Sequence, residues 1–115
     1  MNLVVTVDSD NFEAKVSASF EACAFFMFIE DQNTKKISFV ENIYKHSWSG
    51  ADILCAQYIV TRGVNAVASG SFSTNALSIL REAHIKVYRC PCIQIETAIN
   101  SIAGHLVEPL DIGKI

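Results

Sequence analysis

The sequence predicts an α/β domain, a mixed five-stranded sheet flanked by helices in the order β-β-β-α-β-α-β-α. Two observations carry this. Up to Ile43 the apolar residues fall in extended runs; from Ile53 they recur at helical spacing, broken by two further extended runs. Three consecutive strands followed by alternating helices and strands belong to a mixed sheet. The first and the last two strands then run parallel through right-handed crossovers. The second runs antiparallel between hairpin neighbours.

Each element has its own signal. The β-branched run "NLVVTVD", Asn2 to Asp8, is closed by Ser9-Asp10-Asn11 and makes the first strand. Residues 13 to 22 are mixed and small, a loop with one short helical turn near Ser19. "AFFMFIED", Ala24 to Asp31, is aromatic-rich and stopped by Gln32-Asn33, a second strand. Lys36 to Ile43 alternates, with Ile37, Phe39 and Glu41 on one face and Ser38 and Val40 on the other, and makes its hairpin partner. After Ser47-Trp48-Ser49-Gly50, the positions Ile53, Leu54, Tyr58 and Ile59 set a helix. Ser49 is its expected N-cap, and Gly63 its stop. "VNAVASG", Val64 to Gly70, is a short buried strand, after which Ser73 or Thr74 caps a helix carrying Ala76, Leu77 and Leu80. His84 falls at the left-handed position that usually holds Gly or Asn. "IKVYR", Ile85 to Arg89, is the fifth strand. Gln94 to His105 forms the last helix on Ile95, Ala98, Ile99 and Ile102, and Pro109 closes the ordered part.

Composition bounds the function. The 115 residues read as one domain with a single core; half are hydrophobic and 18% charged, which excludes a disordered chain. A net charge of −3 and a pI near 5.5 leave no electrostatic footprint for nucleic acid. Lys35-Lys36 reads as a solvated turn. The N-terminus lacks a basic segment and an apolar stretch of signal-peptide length. The longest apolar run, Ala22 to Ile29, is far short of the ~20 residues of a membrane helix. The expectation is a cytoplasmic protein with reduced cysteines, no membrane or nucleic-acid partner, and a monomeric or weakly dimeric state.

Several stretches carry a resemblance. "VTVD" opens the chain, and "VSASFEACAFFMFIED" is similar to a V-S-x-x-F-G-x-A-x-x-F segment. "VENIYKHSWSGA" and "RGVNAVASGSFSTNALSILREAHIKVY" follow in order. Together they resemble the dinitrogenase iron–molybdenum cofactor biosynthesis family, small proteins with a ribonuclease-H-like fold. The resemblance implies a protein that binds, carries or helps insert metal–sulfur clusters without catalysing a reaction. Its ligand would be an iron–sulfur or molybdenum-containing cluster or a precursor, and its partners cluster-assembly proteins. Three departures from the family pattern stand out: Glu21 and His84 at usual glycine positions, and Arg89-Cys90-Pro91-Cys92 in place of a glycine-rich turn.

Topology sorts the candidate site residues. Ligands of open α/β sheets bind at the carboxyl ends of the parallel strands, here called the upper end. The first, third, fourth and fifth strands should deliver Asp8-Ser9, His46, Ser69 to Phe72 and Cys90 to Cys92 there. His105 and His84 fall at the lower end, the latter roughly 16 to 20 Å of extended chain from Cys90. That leaves His46, where some relatives of the resembled family carry a histidine, as the expected partner of the Cys-Pro-Cys turn.

Cys90 and Cys92 either ligate a metal or cluster, or serve the turn or reversible thiol oxidation. Ser69, Gly70, Ser71 and Phe72 lead into a helix N-terminus whose free N–H groups favour an anion, a cluster or phosphate alike; the plain alternative is capping. Cys23 and Cys55, also at the upper end, read as small buried hydrophobes. Phe25, Phe26, Phe28 and Phe39 read as core or sheet-face residues. Asp8 could serve a nuclease metal site, but only Asp52 and Glu96 accompany it in the later upper loops, too few for that chemistry.

Overall fold

The computed structural model describes residues 2–30, 36–47, 49–90 and 93–103. Its elements follow the expected order. Strands β1 (Leu3–Val7), β2 (Phe25–Glu30) and β3 (Lys36–Glu41) precede helix α1 (Ala51–Thr61), strand β4 (Ala66–Ser69), helix α2 (Thr74–Glu82), strand β5 (Lys86–Arg89) and helix α3 (Ile95–Ala103). The strands are one to three residues shorter than the sequence signals, as ends fray into turns. The turn after β2, Trp48, Pro91, Cys92, His105 and Pro109 lie outside the described residues.

The five strands form one sheet in the order β3-β2-β1-β4-β5. β2 is antiparallel to both β1 and β3, while β1, β4 and β5 run parallel. Period-2 alternation sends side chains to two separate cores. Val4, Phe26, Phe28, Val67 and Val87 face α1 and α2, meeting Cys55, Ala56, Ile59, Leu77 and Leu80. Leu3, Val5, Val7, Met27, Ile29, Ala66, Ala68 and Tyr88 face the other way, toward Ile95, Ala98 and Ile102 of α3. The result is three layers, helix pair on sheet on helix. Among the described residues no helix is long and apolar enough to cross a membrane.

Helix ends show where local chemistry decided. Ser73 caps α2, its hydroxyl accepting from the Ala76 N–H at 3.1 Å. Ser49 does not cap α1: the N-cap is Gly50, in the left-handed region at φ 77°, without a side-chain cap. Serine would adopt that backbone only at a cost, and the carbonyl of Gly50 itself accepts from Leu54 at 2.9 Å. His84 takes the left-handed conformation at φ 59°, as the position after α2 demands.

The largest departure is residues 13 to 22. Instead of a helical turn near Ser19, the segment from Lys15 to Phe20 is a strap laid across the upper end of the sheet. Val16 bridges to Val7 and Lys15 to Gln94. The N–H of Val16 donates to the Ile93 carbonyl and that of Ser17 to the Thr6 carbonyl, at 2.9 and 2.7 Å.

Candidate functional site

The strap meets the β4–α2 turn, where the sequence places a ligand cradle. The Gly70 N–H donates to the Ser17 carbonyl at 2.8 Å, and the Ser71 carbonyl accepts from Phe20 N–H at 3.1 Å. The Ser71 hydroxyl donates to the Ala18 carbonyl at 2.7 Å. Phe72 lies against Phe20 with ring centroids 5.3 Å apart. Below them the Thr6 hydroxyl donates to Ser69 Oγ at 2.6 Å, both buried. A Cβ on Gly70 would stand 2.7 Å from the Ala18 Cα and 2.8 Å from two strap carbonyls. Glycine is therefore required here for close approach of two backbones. Of the cradle's groups, the Gly70 N–H and both ends of Ser71 are turned to the strap.

The N-terminus of α2 also has company. Asp52, in the first turn of α1, accepts the Ser73 hydroxyl on Oδ2 at 2.6 Å and the Ile53 N–H on Oδ1 at 2.9 Å. The Ser73 bond is the main cause holding the Asp52 carboxyl below its usual range, with the Ile53 and Asn75 bonds adding to it. One carboxylate thus faces two helix N-termini, which favour negative charge there. A free anion at α2 would meet that charge first.

A second polar assembly, absent from the sequence reading, centres on Asn42. Its side chain is buried between the segment leading into β2 and helix α1. Nδ2 donates to the carbonyls of Glu21 and Cys23, each at 3.0 Å, and Oδ1 accepts from Tyr44 N–H at 3.0 Å. The two sulfurs flank the same amide, Cys23 Sγ 3.6 Å from Nδ2 and Cys55 Sγ 3.5 Å from Oδ1. Burial, reinforced by the neighbouring Cys55, pushes the Cys23 thiol up to about 12; burial likewise pushes Cys55 up to about 11. Both are protonated core thiols at neutral pH, as the sequence suggested. The signal that could have found Asn42 is an amide placed directly after an alternating strand, where the chain turns toward the first helix.

Cys90 is also buried, at 4% exposure, but in the other core, beside Tyr88 and Ile95. Its N–H donates to the Ser69 carbonyl at 2.8 Å, and burial pushes its thiol up. The sheet therefore separates Cys90 from Cys23 and Cys55, although all three lie toward the upper end.

His46 lies exposed in the turn after β3. β3 and β5 are opposite edges of the sheet, four strand spacings apart, or roughly 19 Å. The expected pairing of His46 with Cys90 is thus not built into the sheet. Cys92 lies outside the described residues. Among those described, no group of three or more His, Cys, Asp or Glu side chains is placed to hold a metal ion. The chain offers no ready cage for a resident cluster within them.

The chain over most of its length nonetheless matches a known family and fold. The family described as "dinitrogenase iron-molybdenum cofactor" matches residues 1–104. The chain belongs to that family.

Solved structures agree with the fold. The apo form of the orange protein from Desulfovibrio gigas is 22% identical, covers 96% of this chain and 92% of its own, and superposes with a TM-score of 0.88. A Thermotoga protein named for NifB is 22% identical over 95% of this chain and 92% of its own, with a TM-score of 0.78. A Methanocaldococcus jannaschii protein named for dinitrogenase is 19% identical over 96% and 95%, with a TM-score of 0.73. Among curated proteins none matches. The family's three-layer mixed sheet is this chain's fold, and its description ties the family to the iron–molybdenum cofactor.

Proposed function

We propose that the chain is a non-catalytic binding or carrier protein for a metal–sulfur cluster of iron–sulfur or iron–molybdenum type, or for its precursor. The observation that carries this is the family match across residues 1–104. The orange protein adds support, because an apo form presupposes a bound group in that relative.

The cluster is cargo in this reading. With no three-ligand group among the described residues, it arrives with most of its own ligation already made. The contact on this chain is the turn after β5, with Cys90 and Cys92 as thiol ligands. The β4–α2 turn acts as a wall, since the strap takes the Gly70 N–H and the Ser71 hydroxyl. His46 guards the far edge of the same end and does not share a ligand set with Cys90. A protonated Cys90 must lose its proton to bind metal, so uptake releases protons and improves as pH rises.

The test is anaerobic exposure of wild type and the double variant Cys90→Ser/Cys92→Ser to a preformed, thiolate-capped iron–sulfur cluster, and separately to tetrathiomolybdate. Wild type should take up metal and develop charge-transfer absorbance, and the double variant should lose most of both. Equal and negligible uptake by the two proteins would remove the proposal.

A further inference from the structure

β3 is an edge strand, and its open side has a pattern that can be derived. The N–H of Asn42 donates to the carbonyl of Ala24 at 2.9 Å, and these two residues continue the β2·β3 register in which Phe25 opposes Glu41. In an antiparallel pair, mutually bonded positions alternate with unbonded ones. Val40, Ser38 and Lys36 therefore spend their backbone groups on β2. Ile37, Phe39 and Glu41 turn their N–H and C=O groups outward, where no described strand meets them.

Two of the exposed large apolar side chains border this edge. Phe12 is 56% exposed and packs edge-on against Phe39 with centroids 5.8 Å apart; Ile43, 74% exposed, follows β3. Ile37 and Phe39 are themselves only half-buried. Sheet edges with such features are templates for another strand.

We infer that β3 pairs with β3 of a second copy of this chain, antiparallel and centred on Phe39. The outward groups at 37, 39 and 41 are symmetric about Phe39. A two-fold axis there sets Phe39 against Phe39 of the partner subunit and Ile37 against Glu41 of the partner subunit. Every outward N–H then finds a carbonyl. Shifting the register by two residues leaves some of them unmatched. The charges also favour antiparallel over parallel pairing of two copies: Lys36 begins the strand and Glu41 ends it, on opposite faces, so the two Lys36 side chains, and likewise the two Glu41 side chains, are kept at opposite ends of the joined pair. Phe12 of each copy then closes over the joined aromatic centre.

Sedimentation velocity on the full chain from about 10 μM to about 1 mM, where weak dimers populate, tests this at low salt. Wild type should shift from monomer to dimer mass with concentration. Amide exchange at Ile37, Phe39 and Glu41 should slow in step, while that of the β2-bonded positions stays unchanged. Ile37→Pro removes one outward N–H without touching a β2 bond and should abolish the shift. Glu41→Lys, at an exposed position, should weaken dimerisation at least tenfold and leave the circular dichroism spectrum unchanged. A wild type that stays monomeric throughout overturns the inference, as does a dimer equally strong in Ile37→Pro.

Discussion

Two junctions at the upper end hold the chain together by opposite means. At the β4–α2 turn the contact depends on a side chain that is missing: Gly70 lets the strap backbone come within bonding distance. At the end of β3 it depends on one side chain used to its limit, the Asn42 amide, which ties the segment leading into β2, α1 and the following turn to one point. The first tolerates no added atom and the second tolerates no lost one. Both close regions that an α/β sheet usually leaves to ligands.

Substitutions break this contrast in order of size. Gly70→Val drives a side chain into the backbone of Ser17 and Ala18, and should cost about 3 kcal/mol, seen as a melting temperature lowered by about 10 °C. A Gly70→Ala protein as stable as wild type would show that the strap does not lie this close. Asn42→Ala strands the Cys23 carbonyl and the Tyr44 N–H, and should cost about 2 kcal/mol in urea unfolding. Asn42→Gln should not restore it, because the longer side chain cannot keep the same partners.

Smaller effects follow at the margins of each junction. Ser73→Ala removes the α2 cap and the partner of Asp52, at about 1 kcal/mol. Its stability profile should also lose part of its acid dependence. The Asp52 carboxyl is held low in the folded state, so its contribution is present above the unfolded carboxylate range and disappears as pH falls through the folded value. The Cys23 and Cys55 thiols have the opposite sign. Their folded values are raised, so their contribution is full below pH 9.0 and is lost as pH climbs toward about 11 and 12. Cys23→Ala should match wild type in pH dependence at neutral pH and unfold less readily with added alkali. Parallel urea midpoints at pH 7 and pH 10 measure the difference.

The element order was legible because alternation and helical spacing are long-range patterns, and each survives small errors at its ends. Ser73 and Gly63 were legible because cap chemistry is local. The strap was not, since Ser17, Ala18 and Ser19 have no period of their own and are held to the sheet through Thr6, Gly70 and Ser71, which are distant in sequence. Gly70 could be read as a ligand-cradle glycine because a close backbone approach and an anion loop ask for the same residue. End-of-sheet reasoning pairs His46 with Cys90 because it ignores how far apart the edges are, and only the strand order supplies that distance.

The buried bond between Thr6 and Ser69 spans 63 residues of chain. β1 gains its β2 neighbour early in synthesis, but its other side is empty until residues 66–69 have been made. All five β1 residues are buried in the finished protein, so until β4 is made a nascent chain leaves the backbone groups along one edge of β1 unpaired and its apolar side chains only partly covered. Closing so long a loop is slow relative to hairpin formation. The N-terminal meander is therefore the part of this molecule most in need of shelter at the ribosome.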